Sequence, residues 1–129
     1  KFYVRDDGDV KNVSGNYGAY SDRKLKENIS DASSQWDDIK ALTVRKYSMK
    51  ADNLDEANML GVIAQEVEEA GMTNLVDDEI DRDDDGNALE TSTKSFKYSI
   101  LYMKAVKALQ EAMTRIETLE AKVATLEEA

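Results

Sequence analysis

Few residues in this chain can do chemistry. Its 129 residues contain no His and no Cys. A Ser-His-Asp triad, a His general base, His- or thiolate-ligated zinc and a disulfide framework are therefore excluded. Ser, Thr, Lys, Tyr, Asp and Glu remain. The nucleophile arrangement open to that set is a Ser or Thr hydroxyl activated by an unprotonated Lys. An ordinary Lys titrates near ~10.4, so a lysine base must drop by about three units, roughly 4 kcal/mol against its charged form. Burial and neighbouring cations supply such shifts. Ser21 and Lys26, with Arg23 and Lys24 between them, form the candidate pair. On spacing alone the same stretch reads as a charged, solvated linker, because Ser and Lys are common residues.

A second constellation is acidic. Asp81, Asp83, Asp85 and Gly86 have the spacing of the first half of a calcium loop. The bidentate Glu that should close it is missing: Ser92 stands there, and Glu90 comes early. The other reading is a solvated hairpin tip turning at Asp85-Gly86. No metal and no cofactor is expected. The acidity is local: the net charge is −10, from 27 acids and 17 bases, and eight of the acids lie between Asp77 and Glu90. That balance argues against a nucleic-acid partner, which calls for a basic face. No apolar run approaches the ~18 residues of a membrane span, and Lys1 to Gly8 lack the apolar stretch of a signal peptide.

The elements that must position these residues are unevenly legible. Phe2, Tyr3, Val4 and Val10 flank Asp7-Gly8 and predict a small hairpin, with a second breaker cluster at Ser14 to Gly18. Residues 1–20 are too poor in apolar side chains to make a core, and read as the tail of something larger. Leu25 and Ile29 anchor the polar run that follows. Ser33 or Ser34 predicts the cap of a short helix holding Trp36, Ile39 and Leu42. Residues 43–49 alternate as a strand. Val62, Ile63, Glu66, Val67 and Ala70 have helical spacing, and Gly71 is placed to end that helix. Asn74 to Val76 and Ala88 to Thr91 are expected to pair around the acidic turn. From Ser95 to Glu128 there is no Gly and no Pro. Tyr102, Leu109, Ile116 and Val123 recur at heptad spacing, as do Ala105, Ala112, Leu119 and Leu126. This predicts an a/d coiled-coil helix over about 97–128, with Arg115, Glu120 and Lys122 flanking it for interhelical pairing. An amphipathic helix packed on its own domain is the other reading. The a and d residues do not by themselves choose dimer or trimer.

Three runs occur together in order: Ser21-Asp22-Arg23-Lys24-Leu25-Lys26-Glu27-Asn28-Ile29, then Gly61-Val62-Ile63-Ala64-Gln65-Glu66-Val67-Glu68, then Phe96-Lys97-Tyr98-Ser99-Ile100-Leu101 entering the long helix. Over residues 21–129 the chain resembles the C-terminal intramolecular chaperone of bacteriophage tailspikes, tail fibres and neck appendages, a self-cleaving peptidase family. The resemblance implies an α+β fold, a small β-rich domain with a long coiled-coil helix, assembled as a homotrimer. It makes 21–129 the chaperone domain and 1–20 the end of a triple-β-helix stalk, with an acidic protrusion at about 77–90. It implies catalysis by a dyad at Ser21 and Lys26, with cleavage among Tyr20, Ser21 and Asp22. The implied partners are two further copies of the chain and the upstream stalk of its own pre-protein, with no nucleic acid and no membrane. The implied setting is a viral protein made in the bacterial host cytoplasm, its chaperone domain released from the mature virion fibre.

The scissile bond stays open between two choices. Attack by Ser21 Oγ on the preceding Tyr20 carbonyl closes a five-membered ring, which favours Tyr20–Ser21 within one chain. The resemblance points to Ser21–Asp22, which needs a different attack geometry. Gln65 and Glu66 are supporting candidates, either orienting an oxyanion or serving as the N-terminal turn of a packing helix. Two other function classes compete: a trimerisation foldon without chemistry, and an adaptor whose acidic loop binds calcium or a host protein.

Overall fold

A computed structural model describes residues 1–6 and 8–129; Asp7, half of the expected Asp7-Gly8 turn, lies outside the described residues. The chain divides into two compact units, Lys1–Asp31 and Ala32–Ala129. In the first, β1 (Phe2–Val4) and β2 (Val10–Asn12) pair antiparallel, Phe2 opposite Asn12 and Val4 opposite Val10. Gly8 sits at φ +88°, where a side chain would be strained, and its N–H donates to Arg5 O at 3.0 Å. Two such short strands are marginal alone, and Phe2, Tyr3, Val4 and Val10 all remain exposed. A single 3₁₀ turn, Arg23–Leu25, follows.

The second unit is mixed α and β. α1 (Trp36–Ala41) has Gln35, not the expected Ser33 or Ser34, at its N-cap, with no side-chain capping bond; Ser34 Oγ, one residue earlier, accepts the Trp36 N–H at 3.3 Å. Leu42 leaves the helix and packs on the core instead of extending it. β3 (Arg45–Tyr47) pairs antiparallel with β4 (Met59–Gly61). Gly61 has a steric reason to be Gly: a Cβ there would lie 3.1 Å from the Tyr47 ring. α2 spans Ala64–Glu69. Ile63, expected inside the helix, is extended at φ −101°, ψ 125°. Gly71 ends α2 as predicted: it takes φ +90°, its N–H donates to Glu68 O at 2.9 Å, and the Met72 N–H reaches back to Val67 O at 3.1 Å. This is a Schellman motif, which satisfies carbonyls that the helix end would leave bare. It also turns Met72 onto Val67. With Leu75 they form the core, at 1, 1 and 0% exposure, joined by Leu42, Val62, Ala70, Val76 and Phe96.

β5 (Val76–Arg82) and β6 (Ala88–Phe96) form the acidic hairpin, Val76 opposite Phe96, with a bulge between Ile80 and Arg82. The strands are longer than expected, and Asn74 and Leu75 belong to a 3₁₀ turn, Thr73–Leu75, not to the strand. Leu75 decides this: the tight turn points it into the core, where an extended chain would carry it away. Lys97 N–H then donates to Leu75 O at 2.8 Å, fixing the start of α3 (Tyr98–Glu128). Among the described residues there are three two-stranded sheets.

At 31 residues α3 is about 46 Å long. α1 lies on it through polar clasps. Lys104 Nζ donates to Gln35 Oε1 at 2.6 Å and to Asp38 Oδ2 at 2.7 Å. Glu111 accepts the Gln35 N–H at 3.0 Å. The Arg115 guanidinium stacks 3.7 Å over the Trp36 ring. Arg115, expected to pair between helices, is thus spent inside its own chain. The heptad stripe is left open: Leu109, Leu119 and Leu126 are 61, 59 and 74% exposed. The whole chain exposes 11231 Å², where a folded monomer of 14.4 kDa exposes about 6,800 Å². Among the described residues, no helix is long and apolar enough to cross a membrane.

Candidate functional site

The segment from Tyr20 to Lys26 holds the pair that the sequence singled out. Tyr20 is almost fully exposed, and Tyr20, Ser21 and Asp22 lie in irregular chain, so both candidate bonds are open to attack. Asp22 then starts the 3₁₀ turn. Its backbone is extended at φ −62°, ψ 137°, and its carboxylate accepts the Lys24 N–H at 2.9 Å. Inside the turn Leu25 N–H donates to Asp22 O at 3.0 Å, and Lys26 N–H to Arg23 O at 3.1 Å. The tightness of this turn brings the Lys26 side chain back to Ser21. Lys26 Nζ donates to Ser21 Oγ at 2.6 Å, with both residues exposed.

That distance is the contact a Ser–Lys dyad needs, with one qualification of direction. As placed, the amine gives and the hydroxyl oxygen receives. A base needs the reverse, a neutral amine accepting from O–H. Water around an exposed ammonium favours the charged form, and anything that covers the pair favours the neutral one. Asp22 was expected only as a residue beside the cut; it is also the cap that shapes the turn. The signal was present in sequence, an Asp whose side chain can reach the N–H two residues on.

Glu66 and Gln65 sit in the second unit, in the first turn of α2. Glu66 is paired: Arg45 Nη2 donates to Oε1 at 2.7 Å and Nε to Oε2 at 3.0 Å. The Arg45 hydrogen bond holds the Glu66 carboxyl below its ordinary range, and the same pair holds Arg45 above its own. This ties α2 to β3. Gln65 is exposed and borders an open groove with Tyr47, Ile63, Thr93 and Tyr98. Burial pushes the Tyr98 phenol up, helped by Tyr47 and Tyr102. Sequence reasoning missed Arg45, because nothing local marks an ion pair made across 21 positions.

The acidic hairpin spends several of its carboxylates internally. Asp83 accepts the N–H groups of Asp85 and Asn87 at 3.1 and 2.8 Å, and Asp81 accepts from Thr93 Oγ1 at 2.7 Å. These bonds hold both carboxyls below their ordinary range, Asp83 chiefly through Asn87 and Asp81 chiefly through Thr93. Among the described residues no group of three or more carboxylates is arranged to hold a metal ion.

No curated protein matches the chain. A family match does occur, and it starts at Ser21: residues 21–77, slightly under half the chain, match Peptidase_S74, the chaperone of endosialidase. The match takes in Ser21, Lys26, Gln65 and Glu66, and it agrees with the family that the three ordered runs resemble. Residues 21–77 are therefore similar to the chaperone of endosialidase family, a likeness that supports an intramolecular chaperone domain and carries a peptidase name.

Proposed function

We propose that this chain is an intramolecular chaperone that trimerises and folds the stalk of a phage fibre or appendage, then releases itself by autoproteolysis at Ser21. The observation that carries the reading is the 2.6 Å contact between Lys26 Nζ and Ser21 Oγ, at the residue where the family match begins. Residues 1–20 are the end of the stalk, which accounts for their exposed hairpin. The open stripe of α3 forms a parallel coiled coil with two other copies, which accounts for the surplus of accessible surface. The parent is made in the bacterial host, and the chaperone domain leaves the mature fibre.

Catalysis proceeds in balanced steps. Once the pair is covered, neutral Lys26 takes the Ser21 hydroxyl proton as Oγ attacks a peptide carbonyl carbon. The C–N bond breaks, the leaving amine takes that proton back from Lys26, and an ester remains on Oγ. Water, deprotonated by the same amine, hydrolyses the ester and restores the hydroxyl. Ser21 acting within its own chain reaches the Tyr20 carbonyl through a five-membered ring. Cleavage of Ser21–Asp22 calls for the Ser21 of a neighbouring copy. Because solvation opposes the neutral amine, the cut waits for assembly to cover the pair, which makes it a report of correct folding. Glu66, committed to Arg45, holds the scaffold of the second unit.

The competing reading is a foldon without chemistry. Intact mass of the purified chain beside Ser21→Ala and Lys26→Ala separates the two. Our reading expects the wild type to split beside Ser21, both variants to stay whole, and the fragment mass to identify the bond. A wild-type chain that stays whole as a folded trimer supports the foldon.

A further inference from the structure

We propose that the groove between α1 and α3 is the seat for Val106 and Met113 of a neighbouring copy, so that α1 is part of the assembly interface. This rests on the parallel trimer proposed above and adds a contact that heptad pairing alone lacks. The groove is lined by Trp36 and Ile39 of α1 and by Ala105, Ala108, Leu109 and Ala112 of α3. Its floor is made of small side chains, which leaves room for larger ones from outside.

The pattern along α3 identifies the occupant. With Tyr102, Leu109, Ile116 and Val123 at a, the g positions are Ala108, Arg115 and Lys122, and the e positions are Val106, Met113, Glu120 and Glu127. α1 clasps the helix at the c positions Lys104 and Glu111 and the g position Arg115, and c lies next to g on the same flank. In a parallel coil the g flank of one helix faces the e flank of the next. The e positions change character where α1 stops. Beside α1 they are Val106 and Met113, apolar yet 45 and 53% exposed. Beyond it they are Glu120 and Glu127, and the free g position is Lys122, of the sign to meet Glu127. The apolar e residues thus fall at the level of the apolar groove, and the charged ones at the level of bare helix.

The chain has no Cys, so engineered disulfides test the contact directly. In the Ser21→Ala chain, Ile39→Cys is combined with Met113→Cys, and separately Lys122→Cys with Glu127→Cys. After mild oxidation, the first pair is expected to give a covalent three-chain species on a non-reducing gel, and Ile39→Cys or Met113→Cys alone to give none. If the Lys122/Glu127 pair links chains and the Ile39/Met113 pair does not, the groove is not the seat, although the coil stands. If neither pair links and sedimentation gives single chains, the trimer itself fails, and the proposal with it.

Discussion

The two units of this protein divide its tasks in opposite ways. Lys1–Asp31 contains the Ser21–Lys26 contact and, among its described residues, no buried side chain. Ala32–Ala129 contains the core and the long helix, with ion pairs such as Arg45–Glu66, Lys94–Glu68 and Lys104–Asp38 tying its elements together. In the first unit the Ser21–Lys26 contact depends on one turn capped by Asp22. In the second, Val67, Met72 and Leu75 are set by a helix, its Schellman end and a 3₁₀ turn acting together. The contrast teaches that a close side-chain contact can be shaped by one local turn, while a buried core needs several elements acting together.

The largest expected effect breaks the second unit alone. Leu75→Ala removes a fully buried side chain from a core of three, and should cost about 2–5 kcal/mol, read as a lower denaturation midpoint. Gly71→Ala forces a side chain into φ +90° at the helix end, and should cost about 1–2 kcal/mol. On the other side of the comparison, Asp22→Ala should leave the denaturation midpoint of the second unit unchanged. Loss of a cap of about 1 kcal/mol populates the turn less, and slows cleavage about fivefold, seen in the time course of fragment appearance.

The smallest effect concerns Glu66, and its sign follows from its lowered carboxyl. The Arg45 pair stabilises the fold fully above the ordinary carboxylate range and loses that contribution as pH falls through the folded value. Glu66→Gln should therefore lower Tm slightly at pH ~7, and the gap to wild type should narrow steadily as pH falls below the ordinary carboxylate range, measured by a series of thermal melts.

What could be read from sequence was whatever is encoded within a few residues. Gly71 announced the end of α2, and the Gly- and Pro-free run from Ser95 announced α3 to within a residue of Tyr98. The Ser21–Lys26 pair was legible as a candidate because the absence of His and Cys left so little else. Partners distant in sequence were not legible. Arg115 looked like an interhelical charge and instead stacks on Trp36, since a cation–π contact leaves no mark in local spacing. Leu75 looked like strand and is a turn, because burial in a small core outweighed alternation. The Asp22 cap is local too: an Asp side chain reaches the N–H two residues on.

One substitution probes the dyad more sharply than removal of either member. Lys26→Arg keeps the positive charge, the reach and the linker character, but a guanidinium does not give up its proton near neutral pH. Intact mass followed over time for the wild type and Lys26→Arg is the decisive measurement. The dyad predicts that the wild type separates into two fragments beside Ser21 while Lys26→Arg stays whole in an equally folded trimer. Cleavage of both chains at the same rate would contradict it.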